Sequence, residues 1–554
     1  MSKRIVLWSG AVVAVLLVGW FVASKYWIYV PGMISEWRDP IGSAQEVSWG
    51  KGPEKANLPA DKRAPNIVVI LADDLGYNDI TFNGGGVADG VVPTPNIDSI
   101  GHDGVDFTQG YAGNATCAPS RAAIMTGRYA TRFGFEFTPA PVAFERLVGT
   151  FTREGQLRKP IFHEDRVDEW PNDPNKLGVP DKEITIAELL KAKGYRTLLL
   201  GKWHLGGTPT SRPGAQGFDE FLGFLPGASM YLDPDDPRIV NSKQDFDPID
   251  RFLWANLPFA VRKDTGARFA PKEYMTDYLA DEAVKAIHAN RNRPFFMYLS
   301  FNAPHTPLQA LKSDYDALSG IENHRLRVYA AMIRALDRGV GKVLDELKKE
   351  GLDDNTLVIF TSDNGGANYI GLDNINKPYR GWKATFFQGG IRVPFFMRWL
   401  SHIPAGSRYA EPVAHVDIFG TAAAAAGVAE PQDRIMDGRN LLKFANGEET
   451  RDPHKSLYWR SGDYKVLLSG DWKLQSSQRP RKDWLFNLKN DPTERNNLAS
   501  SQPEKLAEMK AKLAQVDAGQ AKPLWPSLLE GPIAIDHPLG EPDKPDDEYI
   551  YWSN

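Results

Sequence analysis

Four runs of apolar residues interrupt the polar background of the chain between residues 66 and 364. They are "NIVVILADD" (66–74), "YRTLLLGKWH" (195–204), "PFFMYLSFNAPH" (294–305) and "TLVIFTSDN" (356–364). Short runs of this kind, rich in branched and aromatic residues and bounded by polar loops, read as strands covered on both faces. Between them the apolar spacing changes to that of a helix, which predicts helices over 184–193, 274–290 and 325–350. Strands alternating with amphipathic helices predict an α/β fold, a large, mostly parallel or mixed sheet sandwiched by helices. Beyond 425–435 the pattern turns to short strand-like pieces, "KSLYWRSGDYKVLLSGDWKLQ" (455–475) and "DWLFNLKND" (483–491). These predict a smaller C-terminal domain, an antiparallel sheet followed by a helix over 503–516. The proline-rich tail from Gly519 ends in "YIYWSN", whose aromatics are expected to pack back on the body.

The first thirty residues are of another kind. Lys3 and Arg4 precede "IVLWSGAVVAVLLVGWFVA" (5–23), which contains no charge. As a helix this run is about 28 Å long, close to the roughly 30 Å hydrocarbon core of a bilayer. Two readings stand. One is an uncleaved membrane anchor with Tyr26, Trp27 and Tyr29 at the interface; the other is an export signal cleaved near Val22-Ala23-Ser24. Either way the body is exported, to the periplasm or the cell surface. The expected division is therefore 1–30 as anchor or signal, 31–65 as linker, 66–430 as catalytic domain and 431–554 as C-terminal subdomain and tail.

Composition narrows the function. With 42% apolar residues the chain can fill a sizeable core, and a net charge of −5 argues against a polyanion partner such as nucleic acid. A single cysteine, Cys117, excludes an internal disulfide framework and a multi-thiolate zinc site.

Each of the four runs ends in residues too polar for a buried strand: Asp73-Asp74, then Lys202 and His204, then His305, then Asp363-Asn364. In an open parallel sheet, ligands bind outside the carboxyl ends of the strands. If the four strands are parallel neighbours, these groups meet at one edge. Asp73, Asp74, Asp363 and Asn364 offer hard oxygen ligands suited to Ca²⁺ or Mg²⁺ rather than zinc. Lys202 and His204, two apart on an extended segment, are expected on one face. His415, in "EPVAHVDIFGT", reads as a packing or hydrogen-bonding residue. His102, His163, His288, His324, His402 and His454 sit in helical or loop stretches without convergent partners. The sequon Asn114-Ala115-Thr116 adjoins the cysteine and is discounted as a glycosylation site.

In "NATCAPSRAAIMTGRY" (114–129), Pro119 suits a first helical turn and Gly127 a helix stop. Cys117 is thus expected at or just before a helix N-terminus, where amides and dipole favour anions, with Arg121 one turn on. A cysteine-phosphatase loop would need five residues between cysteine and arginine; three are present.

The stretch "CAPSRAAIMTGR" resembles the sulfatase signature, Cys-x-Pro-Ser-Arg followed by Thr-Gly-Arg, with Met125 where leucine is frequent. "ADDLGYND", "GKWHLG", "SDNGG", "GWKATFFQGGIRVPF" and "GDWKL" resemble further sulfatase blocks in family order, so the likeness spans roughly 66–498. The resemblance implies an arylsulfatase-like hydrolase with an alkaline-phosphatase-like fold. It implies that a maturation enzyme oxidises Cys117 to Cα-formylglycine. It also implies that Asp73, Asp74, Asp363 and Asn364 bind Ca²⁺ together with residue 117, and that Arg121 holds the hydrate and the carboxylates. Lys202 and Lys383 would hold sulfate oxygens, His204 would deprotonate the second hydroxyl, and His305 would act as general acid. Aryl sulfates and sulfated carbohydrates remain open as substrates. A phosphonate monoester or phosphodiester substrate is the alternative within the same superfamily. The segment 132–180 is expected to wall the pocket.

Overall fold

The computed structural model describes residues 20, 26–59, 62–171 and 177–554. The apolar run 5–23 lies outside the described residues except for Trp20. Among the described residues, no helix is long and apolar enough to cross a membrane.

The four apolar runs form strands β1 (Asn66–Ala72), β2 (Arg196–Lys202), β4 (Phe295–Ser300) and β5 (Thr356–Ser362), and β3 (Glu220–Phe224) follows β2. They lie parallel in the order β3-β2-β4-β1-β5, at the centre of an 11-stranded sheet. β6 (Phe395–Arg398) continues the sheet antiparallel to β5, and further antiparallel pairs make it mixed. The register is flush at the carboxyl ends: Ser300 pairs with both Leu71 and Gly201, and Ser362 pairs with Ala72.

Every residue of β1 is buried, and the strand period of two divides them between two cores. Val68 and Ile70 join the core under one helical layer; Ile67, Val69 and Leu71 join the other. The helices used below are α1 (Val30–Arg38), α2 (Cys117–Thr126), α3 (Val142–Thr150), α4 (Ile186–Ala192), α5 (Pro248–Asn256), α6 (Met275–Asn290), α7 (His324–Lys349) and α8 (Pro503–Asp517). α6 and α7 cover the first face; α2 and α4 cover the second. Thus α4, α6, α7 and α8 match the helices expected from spacing to within two residues at each end.

The segment 31–65 was expected as a linker for want of periodicity, yet it is built into the body. α1 lies within it, Ile41–Gly42 pairs with Arg268–Phe269 at the sheet edge, and the indole of buried Trp49 donates to Glu282 Oε2 at 2.8 Å. Isolated anchors of this kind leave no periodic trace in sequence.

Strands β7 (Leu457–Ser461), β8 (Tyr464–Ser469), β9 (Trp472–Gln478) and β10 (Arg481–Asn487) form the expected antiparallel sheet, with α8 against it. Their inner residues share a third core with Tyr111, Phe386 and Phe387 of the main body. In the tail, β11 (Leu529–Ala534) and β12 (Tyr549–Ser553) pair and bury Ile550 and Trp552 there, as the aromatic ending suggested.

Candidate active site

The flush register brings the four strand exits together. Asp73 N donates to Ala303 O (3.0 Å), Asp363 N to Ala72 O (3.1 Å) and Asp74 N to Asp363 Oδ1 (3.1 Å), so the exits of β1, β4 and β5 are tied together. The end of β2 approaches β4 so closely that a side chain at Gly201, whose φ is +98°, would meet Ser300 O at 1.9 Å.

α2 supplies the thiol. It starts at Cys117 and stops at Gly127, whose φ of +66° is the left-handed cap the sequence suggested. Arg121, one turn along, has no exposed surface. Its Nε and Nη2 reach Asp363 Oδ2 at 2.9 and 2.8 Å, Nη2 lies 3.5 Å from Asp73 Oδ1, and Nη1 donates to the Ser300 hydroxyl. One guanidinium therefore joins α2 to the ends of β1, β4 and β5.

Lys383 comes from a returning loop. A Cβ on Gly365 would stand 1.8 Å from Gly389 O, so only glycine lets the two limbs of that loop close. Lys383 N donates to Gly366 O at 3.0 Å, and its Nζ lies 3.1 Å from Cys117 Sγ, 2.8 Å from Asp74 Oδ2 and 3.0 Å from the Tyr369 hydroxyl. Lys202 Nζ is 2.7 Å from Asp73 Oδ2. Asn364 Nδ2 donates to Asp74 Oδ1 at 2.8 Å, and His305 Nε2 is 3.6 Å from Asp74 Oδ2.

The expected alternation from Lys202 to His204 does not occur. β2 ends at Lys202, and His204 adopts a φ of +59°, so a left-handed turn rather than strand period places its ring. Its N–H donates to Leu225 O at 3.1 Å, which fixes that turn beside the end of β3.

All ten expected residues are buried. Burial and the Asp363 charge push the Asp73 carboxyl up to about 7, against Lys202 and Arg121. Burial raises Asp363 too, but Arg121 and Lys202 outweigh it and hold that carboxyl at about 2. At Asp74 burial is overcome by Lys383 and His305, and the carboxyl stays below its usual range. Burial, opposed by Lys202 and Lys383, pushes the Cys117 thiol up to about 12, far from a thiolate at neutral pH. Burial pushes His305 down to about 3 against the pull of Asp74, and burial with Lys202 pushes His204 well below the imidazole range. Both rings are neutral at pH 7, and His305 Nδ1 faces Thr306 O, which makes it the donor nitrogen.

Asp73, Asp74, Cys117 and His305 offer ligand atoms within 4.8 Å of one another. Asp73 Oδ1 and Asn364 Oδ1 are buried with no hydrogen-bond partner, and both are hard oxygen donors. These residues fit a calcium-type ion. Asp363 stands closer to Arg121 than expected for a free ligand, with Oδ2 held by two guanidinium nitrogens.

Outside this cluster, His415 bridges Ser120 Oγ (3.1 Å) and Thr361 Oγ1 (3.0 Å), the hydrogen-bonding role expected of it. His163, His288 and His454 do have acidic partners, Glu530 at 2.9 Å, Glu350 at 2.6 Å and Asp417 at 2.8 Å, which sequence separations of 367, 62 and 37 concealed. Tyr369 and Ser300 were missed. Each is a lone hydroxyl in a loop or at a strand end, and only the fold shows what it touches.

A cavity of about 1160 Å³ opens over the cluster, and Cys117, His204, His305 and Lys383 line it. Residues 138–171 contribute much of its wall, including Val142, Phe144 and Val148 of α3, as expected of the 132–180 segment.

Residues 65–428 match the sulfatase family model, and residues 381–519 match the model for the C-terminal part of N-sulphoglucosamine sulphohydrolase. The chain belongs to the sulfatase family and is a sulfuric ester hydrolase. It is similar to the N-acetylgalactosamine-6-sulfatase of Mus musculus, 32% identical over 416 residues that cover 74% of this chain and 71% of the relative. It is also similar to the steryl-sulfatase of Rattus norvegicus, 31% identical over 496 residues and 79% of each chain. The crystal structure of Ps i-CgsB in complex with k-i-k-neocarrahexaose superposes with a TM-score of 0.68 at 34% identity, over 84% of this chain and 95% of that one.

Proposed function

We propose that this exported enzyme hydrolyses sulfate esters with residue 117, oxidised from cysteine to Cα-formylglycine, as its nucleophile, beside a calcium ion held by Asp73, Asp74, Asp363 and Asn364. The observation that carries this reading is the placing of Cys117 at the start of α2, with Lys383 Nζ at 3.1 Å and Asp74 Oδ1 at 4.0 Å from its sulfur. Held by those residues, calcium would supply positive charge beside residue 117. The aldehyde hydrate would supply two geminal hydroxyls: one would lose its proton to solvent and attack sulfur as the ester S–O bond breaks, and ionisation of the other would expel sulfate and restore the aldehyde.

The residues of the chain do the rest. Arg121 keeps Asp73 and Asp363 in place and holds Asp363 charged. Three carboxylates (Asp73, Asp74, Asp363) already face three cations (Arg121, Lys202, Lys383), so an added divalent ion leaves net positive charge for an anionic ester. Lys202 and Lys383 direct that charge at the sulfate oxygens. Neutral His204 accepts the proton of the second hydroxyl. His305 would take a proton from solvent on Nε2 when the anionic ester is bound and give it to the leaving alcohol oxygen. Export rests on the apolar run 5–23, as anchor or signal.

The relatives' names pair sulfate with a sugar in one case and a sterol in the other, so the family does not fix the alcohol. Rates on nitrophenyl sulfate and on a nitrophenyl phosphonate ester, each with chelator and with added calcium, test the reading. It predicts preference for the sulfate, loss with chelator and recovery with calcium. Preference for the phosphonate, the runner-up substrate, would overturn it.

A further inference from the structure

A stripe of large apolar side chains stands in solvent at the rim of the cavity. Trp27 precedes α1, and Val30, Met33, Ile34 and Trp37 lie along it; Met33 is 67% exposed and Trp37 83%. Steps of three and four residues put these on one helical face. The other side is occupied. Gly32 N donates to Asn256 Oδ1 at 2.7 Å, Asn256 Nδ2 donates to Ile28 O at 3.0 Å, and Pro31, Gly32 and Ser35 line the cavity. α1 is thus docked on α5 by its inner face, while its outer face stands exposed among the described residues. One acid and one base, Glu36 and Arg38, leave it without net charge.

The apolar character continues inward. Phe252 of α5 and Phe144 of α3 meet edge to face at 4.9 Å in the cavity wall, and Leu253 and Val148 extend it. The inner face of α1 and the apolar side chains of α5 and α3 thus wall one cavity that reaches Cys117 and Lys383, with the stripe on the outer side of its rim. The chain leading to the stripe indicates what covers it. The uncharged run 5–23 is long enough to span a bilayer and ends just before Tyr26. Residues that follow such a span sit at the lipid surface, where Trp and Tyr concentrate.

We propose that α1 lies in the lipid–water interface and that the cavity opens there, so that the enzyme takes sulfate esters of apolar, membrane-partitioning alcohols. The docking rests on geometry and sequence; its consequence for the substrate rests on the sulfate-ester reading above.

The test uses the full chain in phosphatidylcholine vesicles, with an environment-sensitive fluorophore on Met33→Cys or, as control, on Val91→Cys, an exposed site elsewhere on the body. Residue 117, an aldehyde in the matured enzyme, offers no thiol to the label. The expected result is a blue-shifted probe at position 33 that brominated lipid quenches, with the control unshifted and unquenched. A water-like probe at position 33 overturns the proposal. So does a blue-shifted probe that brominated lipid leaves unquenched, because residues 5–23 or a second copy would then cover the stripe. A Met33→Asp, Trp37→Asp variant is expected to lose about tenfold in kcat/KM on a long-chain alkyl sulfate in vesicles while keeping its rate on nitrophenyl sulfate. Equal losses on both substrates, or none on either, contradict it. Failure of the unaltered enzyme to cleave nitrophenyl sulfate would count against the sulfate-ester reading and leave the fluorescence result standing.

Discussion

Arg121 is the residue on which the site's charge balance turns. It has no exposed surface and faces Asp363 at 2.8 Å and Asp73 at 3.5 Å. A methionine in its place would fill similar volume but leave buried Asp363 without its cation and Asp73 with Lys202 alone, a loss of the kind that costs about 3–5 kcal/mol. Arg121→Met should therefore lower stability by that order in urea titrations with chelator present, and calcium should restore part of it. Unchanged stability in chelator would show that the carboxylates are compensated by other means. The neutral histidines belong to the same scale. Burial removes charge from both rings, with Lys202 adding to the effect at His204 and Asp74 opposing it at His305.

At the scale of elements, the C-terminal sheet supports the loop that carries Lys383. Lys473 of β9, in the "GDWKL" block, is fully buried; its Nζ is 2.8 Å from Glu494 Oε1 and donates to Phe386 O at 2.6 Å. Glu494 Oε2 in turn accepts from Gln388 N at 2.5 Å. Lys473→Met should cost about 3–5 kcal/mol by leaving Glu494 buried and unpaired. It should also lower kcat by loosening the loop behind Lys383, and adding Glu494→Gln should recover most of the stability. A single substitution without effect in thermal and kinetic assays would contradict this.

The same elements explain what the sequence made legible. Parallel strands buried on both faces are continuous apolar runs, so the polar residues that end them stand out, and Asp73, Lys202, Asp363 and their neighbours could be named before any fold was known. Strand order could not be read this way, because each run looks alike. His204 was named for the wrong reason, since a left-handed turn has no signature beside a strand's alternation. Tyr369 and Ser300 carry no pattern at all. α1 and Trp49 were hidden in a segment that aperiodicity marked as linker.

At the scale of the whole molecule, buried acids outside the site set how stability varies with pH. Asp247, which caps α5 by accepting from Ile249 N and Asp250 N, is pushed up to about 8 by burial and by Asp250, its backbone bonds opposing. Burial pushes Asp79 up to about 8 as well, against the Tyr329 hydroxyl and Gly76 amide. Folded protein thus keeps protons that the unfolded chain releases near pH 4, so stability should fall as pH rises from about 4 to about 8. Asp247→Asn keeps a capping oxygen but cannot ionise. In denaturant titrations it should match the unaltered protein near pH 4 and exceed it near pH 8.5; equal stability at both would contradict the linkage.

The central claim is chemical: the working group at position 117 is an aldehyde, not a thiol. Mass analysis of the peptide spanning residue 117, taken from catalytically active protein made in its native host, tests it directly. The account predicts a peptide about 18 Da lighter than the cysteine form. Fully active protein whose peptide carries the unmodified thiol would contradict it.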